Sequence, residues 1–260
     1  VVGGSLFLGT GVDIDGDGQQ NAGGTGDDTD GNDDEDGVTF TSALDQGGST
    51  TLNGVASAAG LLNAWVDFND DGDWSDSGEQ VFVDLPVSSG TNGLSFSVPV
   101  GATLTSQTFS RFRLSRQAGL SFAGSAPDGE IEDYAVEITN AAPTDLTLSP
   151  SSINENVDTS AGDVLIGALI PTDIATGDTY SYSFVSGTGD TDNATFVIVG
   201  DKLNVKKDTD LDFETKPSYS VRVNVNDGYN DFEKQLTVSV NNLPEVVDVQ
   251  IGNGTLSRSM

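Results

Sequence analysis

The 260-residue chain contains no cysteine and no histidine. Their absence removes disulfides, thiol nucleophiles, Ser-His triads and the usual zinc, copper and haem ligands. Lysine and arginine are scarce, 10 against 41 Asp and Glu, and neither occurs before Arg111. The net charge of −31 argues against nucleic acid and anionic membrane as partners, because phosphate recognition needs a basic footprint. No apolar run approaches the roughly 20 residues of a membrane-spanning helix. The opening Val1-Val2-Gly3-Gly4 lacks a basic n-region, so a signal peptide is expected to be already removed or to lie outside this sequence.

What is present reads as all-β. Short runs of alternating apolar and polar residues are separated by Gly, Asn, Asp and Ser clusters, and no segment sustains a 3.6-residue apolar period. The first half offers strands at Val38–Phe40, Thr50–Val55, Ala64–Phe68, Gln80–Leu85, Leu94–Val100, Phe109–Ser115 and Tyr134–Ile138. The second offers Leu146–Leu148, Val164–Leu169, Tyr180–Val185, Thr195–Val199, Lys202–Val205, Tyr219–Asn226 and Phe232–Val240, with Gly200-Asp201 as a tight hairpin turn. Composition shifts at Thr139-Asn-Ala-Ala-Pro143, where the acidic Gly-rich loops stop and lysine becomes available. The expectation is two tandem β-sandwich domains. Residues 1–140 hold the acidic region and the first sandwich, 141–245 the second, and 246–260 a tail or the opening of a further β module.

Eighteen carboxylates precede Arg111, and they are clustered. Calcium takes six to eight oxygen ligands, and Asp-x-Asp-x-Asp-Gly delivers three from one short turn. Asp13, Asp15, Asp17 and Gly18 fit that register, and Asp28, Asp30, Asp34 and Asp36 continue the acidic stretch without a unique one. Asp67, Asn69, Asp71 and Gly72 repeat the pattern, with Asp73 at the seventh place. The closing position holds Gly78, and Glu79 comes one residue late. The flanks of this loop read as strands, so it is not an EF-hand. A merely solvated acidic turn is the competing reading. Two carboxylates about 4 Å apart repel by about 1 kcal/mol in water and by more where partly buried, so a bound cation would relieve these loops.

The run Gly129-Glu-Ile-Glu-Asp-Tyr134 resembles the signature of the GEVED domain, a β-rich module of secreted bacterial proteins, with Ile in place of Val. Trp65-Val-Asp67-Phe-Asn69, Asp71-Gly72, Trp74, Gly78-Glu79 and Arg111-Phe-Arg113-Leu extend the resemblance over roughly residues 38–139. It implies an extracellular β-sandwich. Phe112 and Leu114 are expected to face its core, with Arg111 and Arg113 on the other face pairing with Glu130, Glu132 or Asp133. Residues 143–242 resemble a bacterial cadherin-like domain through Ile153-Asn-Glu155-Asn156, Leu211-Asp-Phe-Glu214, Val225-Asn-Asp227-Gly228 and Val240-Asn-Asn-Leu-Pro244. That resemblance implies that Glu155, Asp212 and Glu214 gather at the C-terminal end around calcium shared with the next domain, and that Asp173 and Asp227 face the preceding one. The family's Asp-x-Asp pair appears here as Asp173-Ile-Ala175, without its second acid.

No acid pair is placed distinctly enough to suggest a glycosidase, and the expectation is a protein that is not an enzyme. The leading reading is a calcium-stabilised structural or adhesive segment of a bacterial secreted or cell-surface protein, whose partners are neighbouring β domains of the same or another chain. A second is a calcium-dependent carbohydrate-binding module, with Trp74 exposed in the 67–79 loop as the sugar platform. A third is a filament subunit in which Val1–Leu8 or the C-terminal strand completes a neighbour's sheet.

Overall fold

The computed structural model describes residues 5–10, 35–244, 246–251 and 254–259, the last two ranges through their backbone. The expected ligands Asp13, Asp15, Asp17, Asp28, Asp30 and Asp34 lie outside the described residues, as do Val1–Gly4 of the N-terminal run. The chain is all-β. Two compact units divide it at Ala141 and Ala142, with Ile174–Thr176 counted with the first. Among the described residues, no helix is long and apolar enough to cross a membrane.

In the first unit, β1 (Val38–Phe40), β3 (Ser49–Ala56) and β6 (Gly90–Ser97) form a three-stranded sheet in the order β1-β3-β6. The other sheet takes β2 (Leu44–Asp45), β8 (Glu130–Thr139), β7 (Thr105–Ser115), β4 (Gly60–Val66) and β5 (Gln80–Val87) in that order, with β2 parallel to β8. Along β3, Thr50, Leu52, Gly54 and Ala56 are buried and the residues between them turn outward, the period of a half-buried strand. Leu52, Leu62, Phe82, Phe96, Phe112, Leu114 and Ile138 share one core, in which Phe112 sits edge-on to Phe40 and Tyr134. Leu6 and Leu8 are buried in the same core, and Leu8 bridges Ala56, so this part of the N-terminal run completes its own unit.

The second unit stacks β10 (Ser152–Asn154), β16 (Asp231–Asn241), β15 (Ser218–Asn226) and β12 (Ser181–Phe184) as one sheet. Its other sheet holds β13 (Phe196–Val199), β14 (Lys202–Val205), β11 (Val164–Thr172) and β9 (Asp145–Ser149). Tyr219, Val221, Val223 and Val225 line the inner face of β15, opposite Phe196, Leu203 and Val205 from the second sheet. Val199 pairs with Lys202 across the Gly200-Asp201 turn, and Gly200 has φ 60°, a conformation glycine enters without strain. A final hairpin, β17 (Val246–Ile251) with β18 (Gly254–Ser259), forms a two-stranded sheet of its own.

β8 shows why its motif has alternating acids. On one face the Glu130 carboxylate accepts the Leu8 N–H, and Glu132 accepts the Gly37 N–H at 3.1 Å and the Tyr134 hydroxyl at 2.8 Å. The Tyr134 oxygen in turn accepts the Val38 N–H at 2.9 Å. Side chains two apart thus clasp the segments on either side of the acidic stretch. Asp36 adds a tie between its two ends, accepting the Thr10 N–H at 2.9 Å. Burial first, and then the Glu132 charge, push the Tyr134 phenol far above its ordinary pKa. Because the folded state holds this proton more tightly than the unfolded chain, its contribution to stability is complete below about pH 10 and is lost as pH rises beyond that.

Two outcomes follow. Tyr134→Phe is expected to cost about 1 kcal/mol at neutral pH and to flatten the alkaline fall in stability, measured as denaturation midpoints between pH 8 and pH 11. Phe112→Ala, which opens a cavity at the centre of the first core, is expected to cost about 3–5 kcal/mol in the same denaturation experiment.

Candidate metal centres

The loop between β4 and β5 starts where strand pairing stops, at Asp67. Asp67 is almost fully buried, and its two carboxylate oxygens accept the N–H groups of Asp71 at 3.2 Å and Gly72 at 2.9 Å. Its own carbonyl accepts the Thr108 hydroxyl at 2.8 Å, which fixes the loop to β7. Asp70 at φ 58°, Gly72 at φ 90° and Gly78 at φ 102° supply left-handed bends that curl the loop inward. One carboxylate oxygen from each of Asp71, Asp73 and Asp76 then lies within 4.8 Å of the other two. Asp76 did not stand out in the sequence, because the register counted from Asp67 has no ligand at its tenth place. The Ser75 N–H, at 2.7 Å, together with the Ser75 hydroxyl, holds the Asp73 carboxyl below its usual range.

Trp74 differs from expectation. It is only 9% exposed, its indole N–H donates to the Phe109 carbonyl at 3.1 Å, and the Arg111 guanidinium lies 4.6 Å from its ring centroid. The expectation of an exposed sugar platform is therefore corrected. Phe122 packs beside both Trp74 and Trp65, and a depression of ≈ 430 Å³ next to them is bordered by nearly covered indoles rather than open ring faces. Sequence position alone put Trp74 in a loop; Arg111 and Phe122, reached through the fold, cover it.

The two arginines of β7 share a face, as their spacing predicts, but that face is buried by the segment 120–124. Arg111 donates through Nε to Asp133 at 2.7 Å and through Nη2 to the other oxygen of the same carboxylate, a two-pronged buried pair. Arg113 instead donates to the carbonyls of Ser121, Ala123 and Gly124. Burial lowers the Arg113 pKa, and the Arg111 charge adds to the shift. Of the three acids expected as partners, Asp133 takes the arginine, while Glu130 and Glu132 face the N-terminal segment.

In the second unit, Glu155, Asp212 and Glu214 bring carboxylate oxygens within 4.8 Å of one another, as the resemblance implies for these three residues. Glu155, just beyond β10, is 2% exposed and accepts the N–H groups of Phe213 at 3.0 Å and Leu243 at 2.5 Å. Asp212 accepts the Thr215 hydroxyl and the N–H groups of Thr215 and Glu214, and these bonds, the hydroxyl first, lower its pKa. A third group joins Asp173, Asp178 and Asp227. Asp178 here brings a further carboxylate to the place where Ala175 offers none. Asp227 is 1% exposed, and one of its oxygens accepts the N–H groups of Tyr229 and Asn230, a turn clasp. Burial, then Asp173, Asp178 and Asp227, push the Tyr180 phenol up to about 12.

Asp133→Asn is expected to leave the Arg111 charge buried without its counter-ion, lowering stability by about 3–5 kcal/mol and changing the emission of Trp74 beneath it. Chemical denaturation followed by tryptophan fluorescence reads both effects.

Comparison with known proteins places part of the first unit. No curated protein matches the chain in sequence. Among solved structures, the mouse clustered PcdhgC3 EC1-3 fragment is similar with 14% identity and a TM-score of 0.31, over 79% of this chain and 68% of that one. The human desmocollin-1 ectodomain is similar with 14% identity and a TM-score of 0.30, over 83% of this chain and 44% of that one. Human protocadherin-24 EC1-2 has 13% identity and a TM-score of 0.32, over 80% and 98% respectively. The sequence model of the GEVED domain matches residues 61–137, from β4 through β8 and within the limits expected from the motifs.

Proposed function

We infer that this chain is a non-catalytic structural or adhesive segment of a bacterial secreted or cell-surface protein, stiffened by calcium bound in its acidic loops. The observation that carries the reading is the convergence of carboxylates at loop junctions in both units, in a chain with 10 cationic and 41 acidic side chains. Internal pairing cannot neutralise such a ratio. Among the described residues, the cations in ion pairs serve other acids: Arg111 with Asp133, Arg116 with Asp128, Lys202 with Asp201, Lys216 with Asp192, Arg222 with Glu233 and Lys234 with Asp145. The converging sets therefore call for positive charge from solution. Calcium suits them because it accepts six to eight oxygen ligands in irregular geometry, and extracellular modules commonly hold it with dissociation constants of about 10⁻⁴–10⁻³ M.

The non-catalytic part of the reading is supported by how the best-placed acids are used. Asp67, Glu155 and Asp227 clasp backbone N–H groups, and Asp133 anchors an arginine. Such roles rigidify loops. Neighbouring β domains, of the same or another chain, are the partners this reading implies, with an extracellular or cell-surface location.

Thermal melts of the full chain in millimolar calcium and in excess chelator test the proposal. A site held at about a hundred times its dissociation constant adds about 2.7 kcal/mol, so calcium is expected to raise the midpoint by on the order of 10 °C. Coincident melts would contradict it.

A further inference from the structure

Two independent features meet in the loop between β4 and β5. The first is the cluster of Asp71, Asp73 and Asp76, whose carboxylate oxygens lie within 4.8 Å of one another. Exposed acids of this kind occur on many surfaces without a ligand. The second feature is Glu79, at the loop's closing end and only 2% exposed. Its Oε2 accepts the Asp76 N–H at 3.0 Å, whereas Oε1 is buried and accepts no hydrogen bond among the described residues. Leaving such an acceptor unsatisfied carries the full desolvation penalty of the group, larger still if it is charged. The Asp76 N–H bond to Oε2 places this carboxyl beside a member of the exposed cluster. A buried carboxylate with an unsatisfied oxygen, next to an acidic cluster, is a poor choice for packing. It is a good choice for holding a cation.

Asn69 marks where positive charge is needed. Its Nδ2 donates at once to Asp71 Oδ2 at 3.2 Å and Asp76 Oδ2 at 2.7 Å, so the positive end of an amide dipole bridges two carboxylates. Its Oδ1 meanwhile accepts the Asp71 N–H at 3.2 Å, which holds the amide in this orientation, with Nδ2 at the place where a cation would bridge the two carboxylates. Asp67 has another task, since both of its oxygens hold the turn through the Asp71 and Gly72 N–H groups.

We propose that a divalent cation of calcium's size and hardness binds in this loop, held by Asp71, Asp73 and Asp76, closed by Glu79, with Asp67 shaping the turn. This ligand set departs from the spacing of the sequence at Asp76, which has no counterpart in the expected register. It also explains the displaced carboxylate: Glu79 closes the site from the last loop position before β5, one residue beyond the expected position. The proposal rests on the calcium-stabilised reading above but concerns this one site.

Terbium, a luminescent stand-in for calcium excited through nearby tryptophan, provides the test on the full chain. Trp74 lies inside the loop, so tryptophan-sensitised terbium emission is expected, with displacement by calcium and a marked loss of intensity in Trp74→Phe. Asp76→Asn and Glu79→Gln are each expected to weaken terbium binding by at least about 10-fold, since disturbing even a second-shell partner of a metal commonly costs roughly 10–100-fold. Circular dichroism checks the fold of each variant, and Asp76→Asn, on an exposed side chain, keeps the test valid if Glu79→Gln misfolds. Parent-like terbium affinity in folded Asp76→Asn would overturn the proposal. If that variant keeps the parent's full calcium-dependent melting shift as well, the general reading stands and this site falls. If the parent shows neither emission nor shift, both fall.

Discussion

Forty-one carboxylates must be accommodated around ten cations, and the architecture is arranged around that imbalance. The strands meet it by keeping their inner faces apolar, as Val221, Val223 and Val225 do in β15 and Leu52 does in β3. The loops meet it by giving carboxylates backbone N–H groups to accept. Asp67, Glu155, Asp212 and Asp227 all do this, each turning a charge that would repel its neighbours into a local clasp. Backbone donors supply partial charges only. Where several such clasps converge, the remaining field is negative and concentrated, which is the charge the proposed cation would offset.

The first arginines mark a change of strategy. Arg111 and Arg113 enter on β7 and are covered by the segment 120–124, one paired with Asp133 and the other donating to three carbonyls. Trp74 links this arginine layer to the acidic loop, because its ring lies against Arg111 while its neighbours Asp73 and Asp76 belong to the carboxylate cluster. The alternating acids of β8 divide the work: Asp133 serves the arginine, and Glu130 and Glu132 hold the segments at Leu8 and Gly37. The signature run is therefore a structural junction between three parts of one unit.

Much of the fold was legible in sequence because period-two alternation directly reports half-buried strands. β1 and β14 lie where expected, and β15 and β16 extend by one residue at their ends. β2 and β10 were not legible: at two and three residues, paired in parallel with β8 and β16, they carry no period and owe their existence to distant partners. β4 begins earlier than alternation suggests and yields Asp67 and Phe68 to the loop. At the candidate sites, residue types were readable and groupings were not. Asp76 and Asp178 join their clusters through the curl of a loop and the return of a strand. The burial of Trp74 depends on residues far along the chain.

The central claim is that positive charge from solution completes these loops. Native mass spectrometry of the full chain, equilibrated with calcium and then with chelator, addresses it most directly. The account predicts retained calcium ions, at least one for each unit, removed by the chelator without loss of the polypeptide's integrity. A spectrum identical under both conditions at millimolar calcium would contradict it.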